Sequence, residues 1–174
     1  TVSEEAASCS ITFGAPSKTF NIAGIVSSYC IVPNEELRNR LFSWMAANEL
    51  DEPHIVAPIA TMAAFNEGEE WRRQMLHYIE GNIMFVEDYL KENIPQIKPL
   101  RPQASFLVWL DCRGLRLQHD ALVHLFVDEA GLALNDGEMF GKGGEGFMRM
   151  NIPPPRAVLR EALGRLKDAV ERRK

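Results

Sequence analysis

The sequence has little cysteine and no long apolar run. Only three of its 174 residues are cysteines, Cys9, Cys30 and Cys112, and no two of them form a Cys-x-x-Cys pair. This pattern argues against a disulfide framework or a zinc knuckle and indicates a reduced, cytoplasmic protein. The apolar-rich stretch 22–32 is interrupted by two serines and is shorter than the roughly 18 residues that a membrane helix needs. The first ten residues are acidic and lack the apolar centre of a secretory signal.

An excess of basic charge is also missing. Lys and Arg number 19 against 24 Asp and Glu, which is a formal net charge of −5. Proteins that bind nucleic acid or anionic membranes present basic surfaces, so we expect neither kind of partner. Hydrophobic residues make up 46% and charged residues 25%, which is the composition of a globular domain.

The first half of the sequence predicts two short strands followed by three helices. The β-prone runs cover 9–13 and 25–32, with a polar loop between them. Asn34 is placed as the N-cap of the first helix, and an apolar helix then runs to about Phe65. Apolar residues at steps of three and four predict a long helix over 71–90.

The second half of the sequence alternates strands and helices. It opens on a proline-rich connector, after which an almost continuous apolar core predicts that 104–111 is a central strand. The elements expected beyond it are an amphipathic helix over 121–130, a turn over 141–146, a strand over 147–152 and a final helix after three consecutive prolines. This order is α/β, and the change of composition near 93–102 predicts a domain boundary.

Lys18 is the residue whose position is chemically most informative. It lies in the loop Ala-Pro-Ser-Lys-Thr-Phe-Asn between two β-prone runs. A lysine that loses part of its hydration inside a protein can present a neutral amine, the nucleophile that a Schiff base requires. Ser17 and Thr19 beside it supply hydroxyls for a phosphate or a cofactor hydroxyl. From the residue types alone, a solvated loop lysine remains the alternative.

Four segments of the sequence resemble one protein family, in the same order. SITFGAPSKTFNIAG is similar to the segment around the cofactor lysine of fold-type I aminotransferases, which use pyridoxal 5′-phosphate (PLP), and most of all to that of the MalY/PatB-type cystathionine β-lyases. Three later segments resemble further parts of that family. The helical stretch after the lysine is similar to PHIVAPIATMAAFNEGEEWRRQML, the small-domain strand to RPQASFLVWLDCRGL, and the carboxyl-terminal signature to ALNDGEMFGKGGEGFMRMNIPPPRAVLREAL. The resemblance implies that 1–92 is the end of the large cofactor domain with its bridging helix, and that 93–174 is the small α+β domain.

The resemblance also assigns roles to individual residues. Lys18 would be the lysine that forms the internal aldimine with PLP and later moves the proton at the substrate Cα, and Ser17 would be a ligand of the cofactor phosphate. Arg149 would bind the substrate α-carboxylate, for which a planar guanidinium is a matching bidentate partner. A strand arginine in a surface ion pair is the alternative for Arg149. Two positions depart from the wider superfamily, because Ala15 and Val26 stand where a serine and an arginine often contact the phosphate.

Several other features are interpreted as structural. The glycine-rich segment 141–146 precedes a strand instead of a helix, so it predicts a hairpin turn and not a phosphate cradle. The apolar stripe of 71–90 predicts core or subunit-interface packing. The four histidines show no metal-ligand spacing, so we expect no metal site and a structural or surface role for His54, His77, His119 and His124.

The predicted function is that of a PLP-dependent carbon–sulfur β-lyase. Cystathionine or a cysteine S-conjugate would yield pyruvate, ammonia and a thiol, and the fold implies a homodimer. A class I/II aminotransferase is one alternative, and a non-catalytic dimerisation or regulatory module is another. The family's first half supplies the aspartate, the aromatic ring and most of the phosphate loop that hold PLP. The sequence lacks these groups and an initiator Met. We therefore expect the isolated chain to be inactive and part of a longer protein.

Overall fold

The computed structural model describes residues 2–173 and divides into two compact units. The first unit ends at Met75 and the second begins at Leu76. The domain boundary expected from the family, between 92 and 93, stays a prediction. Within the described residues, no helix is long and apolar enough to cross a membrane.

The first unit contains three helices and a small hairpin. The elements are α1 (Glu4–Cys9), β1 (Thr12–Gly14), β2 (Tyr29–Ile31), α2 (Glu35–Ala47) and α3 (Val56–Glu67), followed by the start of α4 (Glu69–Asn93). β1 and β2 are antiparallel, with Phe13 opposite Cys30. Their connection holds Lys18, as the sequence predicts.

Both predicted strands of the first unit are shorter than expected. α1 extends to Cys9, which lies in the β-prone run predicted from the sequence. The helix forms because the Ser3 side chain caps its first turn by accepting a hydrogen bond from the Ala6 amide at 3.1 Å. The second predicted strand begins with a 3₁₀ turn, and Val26 after it has a left-handed backbone with φ 53°. Strand pairing with β1 therefore begins only at Tyr29. The predicted N-cap is confirmed, since Asn34 Oδ1 accepts a hydrogen bond from the Leu37 amide at 2.9 Å.

The second unit is built on a four-stranded antiparallel sheet. Its elements after α4 are β3 (Lys98–Leu100), β4 (Leu107–Asp111), α5 (His119–His124), β5 (Asn135–Asp136), β6 (Phe147–Asn151) and α6 (Arg156–Glu171). The strand order is β3-β4-β6-β5. The expected central strand is therefore confirmed, because β4 has a partner on each side.

The core of the second unit follows from alternation in the strands and helical spacing in the helices. Val108 and Leu110 of β4 and Met148 and Met150 of β6 are buried, while the residues between them are only half-buried. The predicted long helix is confirmed as α4. Further buried side chains come from α4 and α6: Ile79, Ile83, Val86, Leu90, Leu159, Leu163 and Leu166.

Two local features of the second unit differ from the sequence prediction, and a third agrees with it. β3 forms within the proline-rich connector, because an edge strand tolerates the missing amide of Pro99. The helix expected over 121–130 begins earlier, at His119, and widens into a π-helical turn at its end, where the Ala130 amide donates to the Leu125 carbonyl. β5 and β6 pair directly, so the glycine-rich segment 141–146 lies in a hairpin connection as predicted.

Candidate functional site

Lys18 lies at an exposed position in a tight turn of the first unit. The Phe20 amide donates to the Pro16 carbonyl at 2.9 Å, and the Ile22 amide donates to the Ser17 carbonyl at 3.0 Å. Pro16 is buried and Ser17 is half-buried, whereas Lys18 is exposed. These two hydrogen bonds define the backbone of the turn, and the lysine side chain leaves it on the solvent side.

The Lys18 turn is anchored on α3. The Phe20 ring contacts the Phe65 ring edge-on, with 5.5 Å between the centroids. A Cβ atom at Gly68 would collide with the Ala64 carbonyl oxygen and would lie 2.7 Å from the Phe20 ring, so this close approach requires glycine. The loop after the turn is tied to the same helix by a hydrogen bond of 2.7 Å between the Ser27 and Thr61 hydroxyls.

The surroundings of Lys18 are compatible with covalent attachment to an aldehyde. Among residues 2–173, no carboxylate lies within ion-pair distance of the Lys18 amine. The amine is therefore not held in an ion pair, but Lys18 is exposed in this chain, as in the alternative of a solvated loop lysine, and the loss of hydration that favours a neutral amine is not seen among the described residues. Val26 is 79% exposed and, like Ala15, has no group that could bind a phosphate. The Ser17 and Thr19 hydroxyls are the side-chain groups next to Lys18 in the sequence that fit a phosphate.

Arg149 lies in the middle of the sheet of the second unit. β4 places Trp109 directly opposite it on one side, and β5 places Asn135 opposite it on the other. Arg149 Nη2 donates a hydrogen bond to Asn135 Oδ1 at 2.9 Å. The guanidinium carbon lies 4.3 Å from the centroid of the Phe140 ring, which is the geometry of a cation–π contact.

The guanidinium of Arg149 is held by neutral groups only. In the part of the chain that the structure describes, no carboxylate forms an ion pair with it, so the alternative of a surface ion pair has no partner there. Its Nε is buried and finds no hydrogen-bond acceptor among the same residues. A half-buried cation without a carboxylate partner is a suitable binding group for a carboxylate.

The sheet face that presents Arg149 also carries an apolar cleft. The cleft has a volume of about 290 Å³ and is lined by Leu100, Trp109, Phe140, Phe147 and the backbone of Gly143 and Gly144. The Trp109 ring meets the Phe140 ring edge-on, with 5.3 Å between the centroids. A fixed cation beside an aromatic cleft can bind a molecule that has a carboxylate at one end and an apolar group at the other.

Asn135, Phe140 and Trp109 were not identified from the sequence. Trp109 could have been found, because it lies between the buried positions Val108 and Leu110 of β4 and therefore on the opposite face of the strand, the face that pairs it with Arg149. β5 has only two residues, which is too short for any hydrophobic pattern. The contact of Phe140 with Arg149 depends on the path of the hairpin connection.

His119 and Cys112 take structural positions, whereas His54, His77 and His124 are exposed. His119 Nε2 lies 3.0 Å from Asp136 Oδ2, which joins α5 to β5. Within the described residues, no group of three or more His, Cys, Asp or Glu side chains could hold a metal ion. Burial raises the pKa of the Cys112 thiol to about 12, with a smaller contribution from the Asp111 carboxylate, so this thiol is not a nucleophile at neutral pH.

Comparison with known proteins agrees with the sequence resemblance. No family model matches the chain. Cystathionine β-lyase PatB of Bacillus subtilis strain 168 is 36% identical over 169 residues, which are 97% of this chain and 44% of PatB. Protein MalY of Escherichia coli K12 is 29% identical over 155 residues, which are 88% of this chain and 40% of MalY.

A solved structure supports the same conclusion. Cystalysin from Treponema denticola, whose crystal structure contains PLP, matches with a TM-score of 0.95 and 33% identity over 99% of this chain and 44% of cystalysin. The fold is thus that of the fold type I enzymes, the aminotransferase-like class. Within this class, the chain is homologous to the carboxyl-terminal part of the PLP-dependent cystathionine β-lyases related to PatB and MalY. It spans less than half the length of the curated relatives it matches.

Proposed function

We propose that this chain provides the cofactor lysine and the substrate-binding arginine of a PLP-dependent carbon–sulfur β-lyase. The substrate would be cystathionine or a cysteine S-conjugate, and the products pyruvate, ammonia and a thiol. The observation that carries the proposal is the half-buried Arg149 guanidinium, held by Asn135 and Phe140 without a carboxylate partner among the described residues. The relatives named lyases supply the reaction class.

Lys18 is proposed to bind the cofactor and then to move a proton. Its amine would attach to the aldehyde carbon of PLP, and an incoming substrate amine would release it. The freed amine would then take the proton from the substrate Cα. PLP, when bound, withdraws electrons from Cα and so makes that proton acidic enough to leave. The anchoring of the turn on α3 keeps the lysine backbone in place during both roles.

Arg149 is proposed to orient the substrate through its α-carboxylate. Two parallel N–H···O hydrogen bonds would define both the position and the plane of the carboxylate. The Cβ substituent would then extend toward neighbouring groups, and the apolar cleft is suited to a thiol with an apolar body. Ser17 is proposed as one ligand of the cofactor phosphate.

We expect the 174 residues by themselves to be inactive. The groups that hold the pyridine ring in this family belong to a region of the relatives that this chain does not match. Large apolar side chains of α2 and α3 are exposed in the first unit, which supports burial against further polypeptide, including the partner of a homodimer: Phe42, Trp44, Ile59, Met62 and Phe65. The three free cysteines support a cytoplasmic location.

The test is borohydride reduction of the protein as its host makes it. Reduction makes a lysine–PLP bond permanent, and peptide mass mapping should then find the adduct on Lys18. A Lys18→Ala variant should carry no adduct. Pyruvate and free thiol from a single substrate would support the lyase, whereas amino transfer to an added 2-oxo acid would indicate the aminotransferase. A protein without any adduct would contradict the proposal and favour the non-catalytic module.

A further inference from the structure

We propose that Asn135 and Phe140 are positioning residues that orient the Arg149 guanidinium toward the substrate carboxylate without neutralising its charge. This inference rests on the proposed function, because it assumes that Arg149 binds the carboxylate. Both residues lie within the carboxyl-terminal segment that resembles the family, but the resemblance assigns a role to neither of them. Their importance comes from contacts that the fold creates.

Asn135 restricts rotation of the guanidinium within its plane. It faces Arg149 across the β5–β6 pair, and its Oδ1 accepts a hydrogen bond from Nη2 at 2.9 Å. A carboxamide is a neutral acceptor, so the guanidinium keeps its full charge for a ligand. A carboxylate at the same position would form an ion pair and would compete with the substrate.

Phe140 restricts tilting of the guanidinium plane. Its ring lies 4.3 Å from the guanidinium carbon, and the ring is itself supported edge-on by Trp109 at 5.3 Å. The negative face of the ring attracts the cation but accepts no strong hydrogen bond. The ring thereby covers one face of the guanidinium and leaves the edge uncovered, where two N–H groups can bind a carboxylate at once.

The segment that carries both residues is braced at several points. Asp136 Oδ1 accepts a hydrogen bond from the Glu138 amide at 2.9 Å, and its Oδ2 lies 3.0 Å from His119 Nε2. Gly137 is buried, and a Cβ atom there would collide with the Gly144 carbonyl. These contacts make the path from Asn135 to Phe140 rigid enough to define the position of a side chain.

The experiment compares two ligands that differ only in the carboxylate. The PLP-loaded protein from its natural host is titrated with L-alanine and with L-alaninamide, and binding is followed by the absorbance change of the cofactor. Asn135→Ala should weaken L-alanine roughly tenfold or more, as expected for losing a hydrogen bond to a charged group, and should leave L-alaninamide unchanged. Phe140→Leu should weaken L-alanine about two- to fivefold with the same selectivity.

A second substitution tests whether neutrality matters. Asn135→Asp keeps the shape and the acceptor but adds a charge, so it should weaken L-alanine at least as much as Asn135→Ala. Recovery of normal binding in Asn135→Asp would show that the position needs only an acceptor and would overturn the proposal. Asn93→Ala is the matched control, because the Asn93 side chain bonds only the Tyr89 carbonyl within α4, and it should bind both ligands normally.

The remaining outcomes separate this inference from the proposed function. Equal weakening of both ligands in Asn135→Ala and Phe140→Leu would show a structural role only and would overturn the positioning role. Unchanged L-alanine binding in both variants would overturn it as well. If the unsubstituted protein takes up no PLP, or gives no absorbance change with either amine, then the proposed function itself fails.

Discussion

The buried carboxamide of Asn82 offers a direct test of what holds β6 to α4. Asn82 is 0% exposed. Its Nδ2 donates to the carbonyls of Ile152 at 2.8 Å and Pro154 at 3.2 Å, and its Oδ1 accepts from Arg156 Nε at 2.7 Å. These three hydrogen bonds tie the chain just after β6, and therefore the strand that carries Arg149, to the middle of α4.

Replacing Asn82 by Ala should cost about 2–4 kcal/mol of the free energy of unfolding. The hydrogen bond to a charged group contributes about 1.5–3 kcal/mol, and a carbonyl left without a partner in a buried site costs about 1–3 kcal/mol. The estimate stays below the sum because Pro154 and Arg156 are only half-buried, so water can replace part of what they lose.

Urea denaturation of the protein, followed by tryptophan fluorescence, measures this change. With a slope of about 2 kcal/mol per molar urea, the midpoint should fall by roughly 1–2 M. Asn93→Ala is the matched control on the same helix, since Asn93 Nδ2 makes a single hydrogen bond of 3.0 Å, to the Tyr89 carbonyl four residues earlier. It should lower the stability by less than about 1 kcal/mol.

The reasoning is refuted if Asn82→Ala is no more destabilising than Asn93→Ala. A double-mutant cycle sharpens the result. If the Arg156 contact supplies a large part of the energy, then Asn82→Ala combined with Arg156→Ala should cost clearly less than the two single changes added together. Strict additivity would mean that the 2.7 Å contact contributes nothing measurable.

Two further predictions follow from packing and burial. Gly68→Ala should collide with the Ala64 carbonyl and displace the Phe20 ring, and it should therefore lower both the thermal stability and the amount of PLP that borohydride fixes on Lys18. Gly24→Ala should change neither quantity, because nothing lies within 4 Å of a Cβ atom at Gly24. Native protein treated with a maleimide should be labelled at exposed Cys9 and not at Cys112, because burial raises the pKa of the Cys112 thiol to about 12. Peptide mass mapping measures which cysteine is labelled. Labelling of Cys112 as fast as Cys9 would mean that the second unit opens readily.

Elements whose signals are local could be predicted from the sequence. Spacing of three and four residues is a property of a continuous segment, so α4 was predicted close to its observed bounds. The apolar run of 104–111 likewise indicated that β4 lies inside a sheet. The motifs around Lys18 and Arg149 identified the family through short stretches of consecutive residues.

Tertiary structure alone decided the elements that depend on distant partners. β3 and β5 have three and two residues, and they form because they can pair with the edges of β4 and β6. Segments this short contain no hydrophobic periodicity from which a strand could be predicted. The surroundings of Arg149 were decided in the same way, because Asn135 and Phe140 reach it only through strand pairing and the path of a turn. Motifs thus identify the charged group, whereas its orientation depends on contacts between residues that are far apart in the chain.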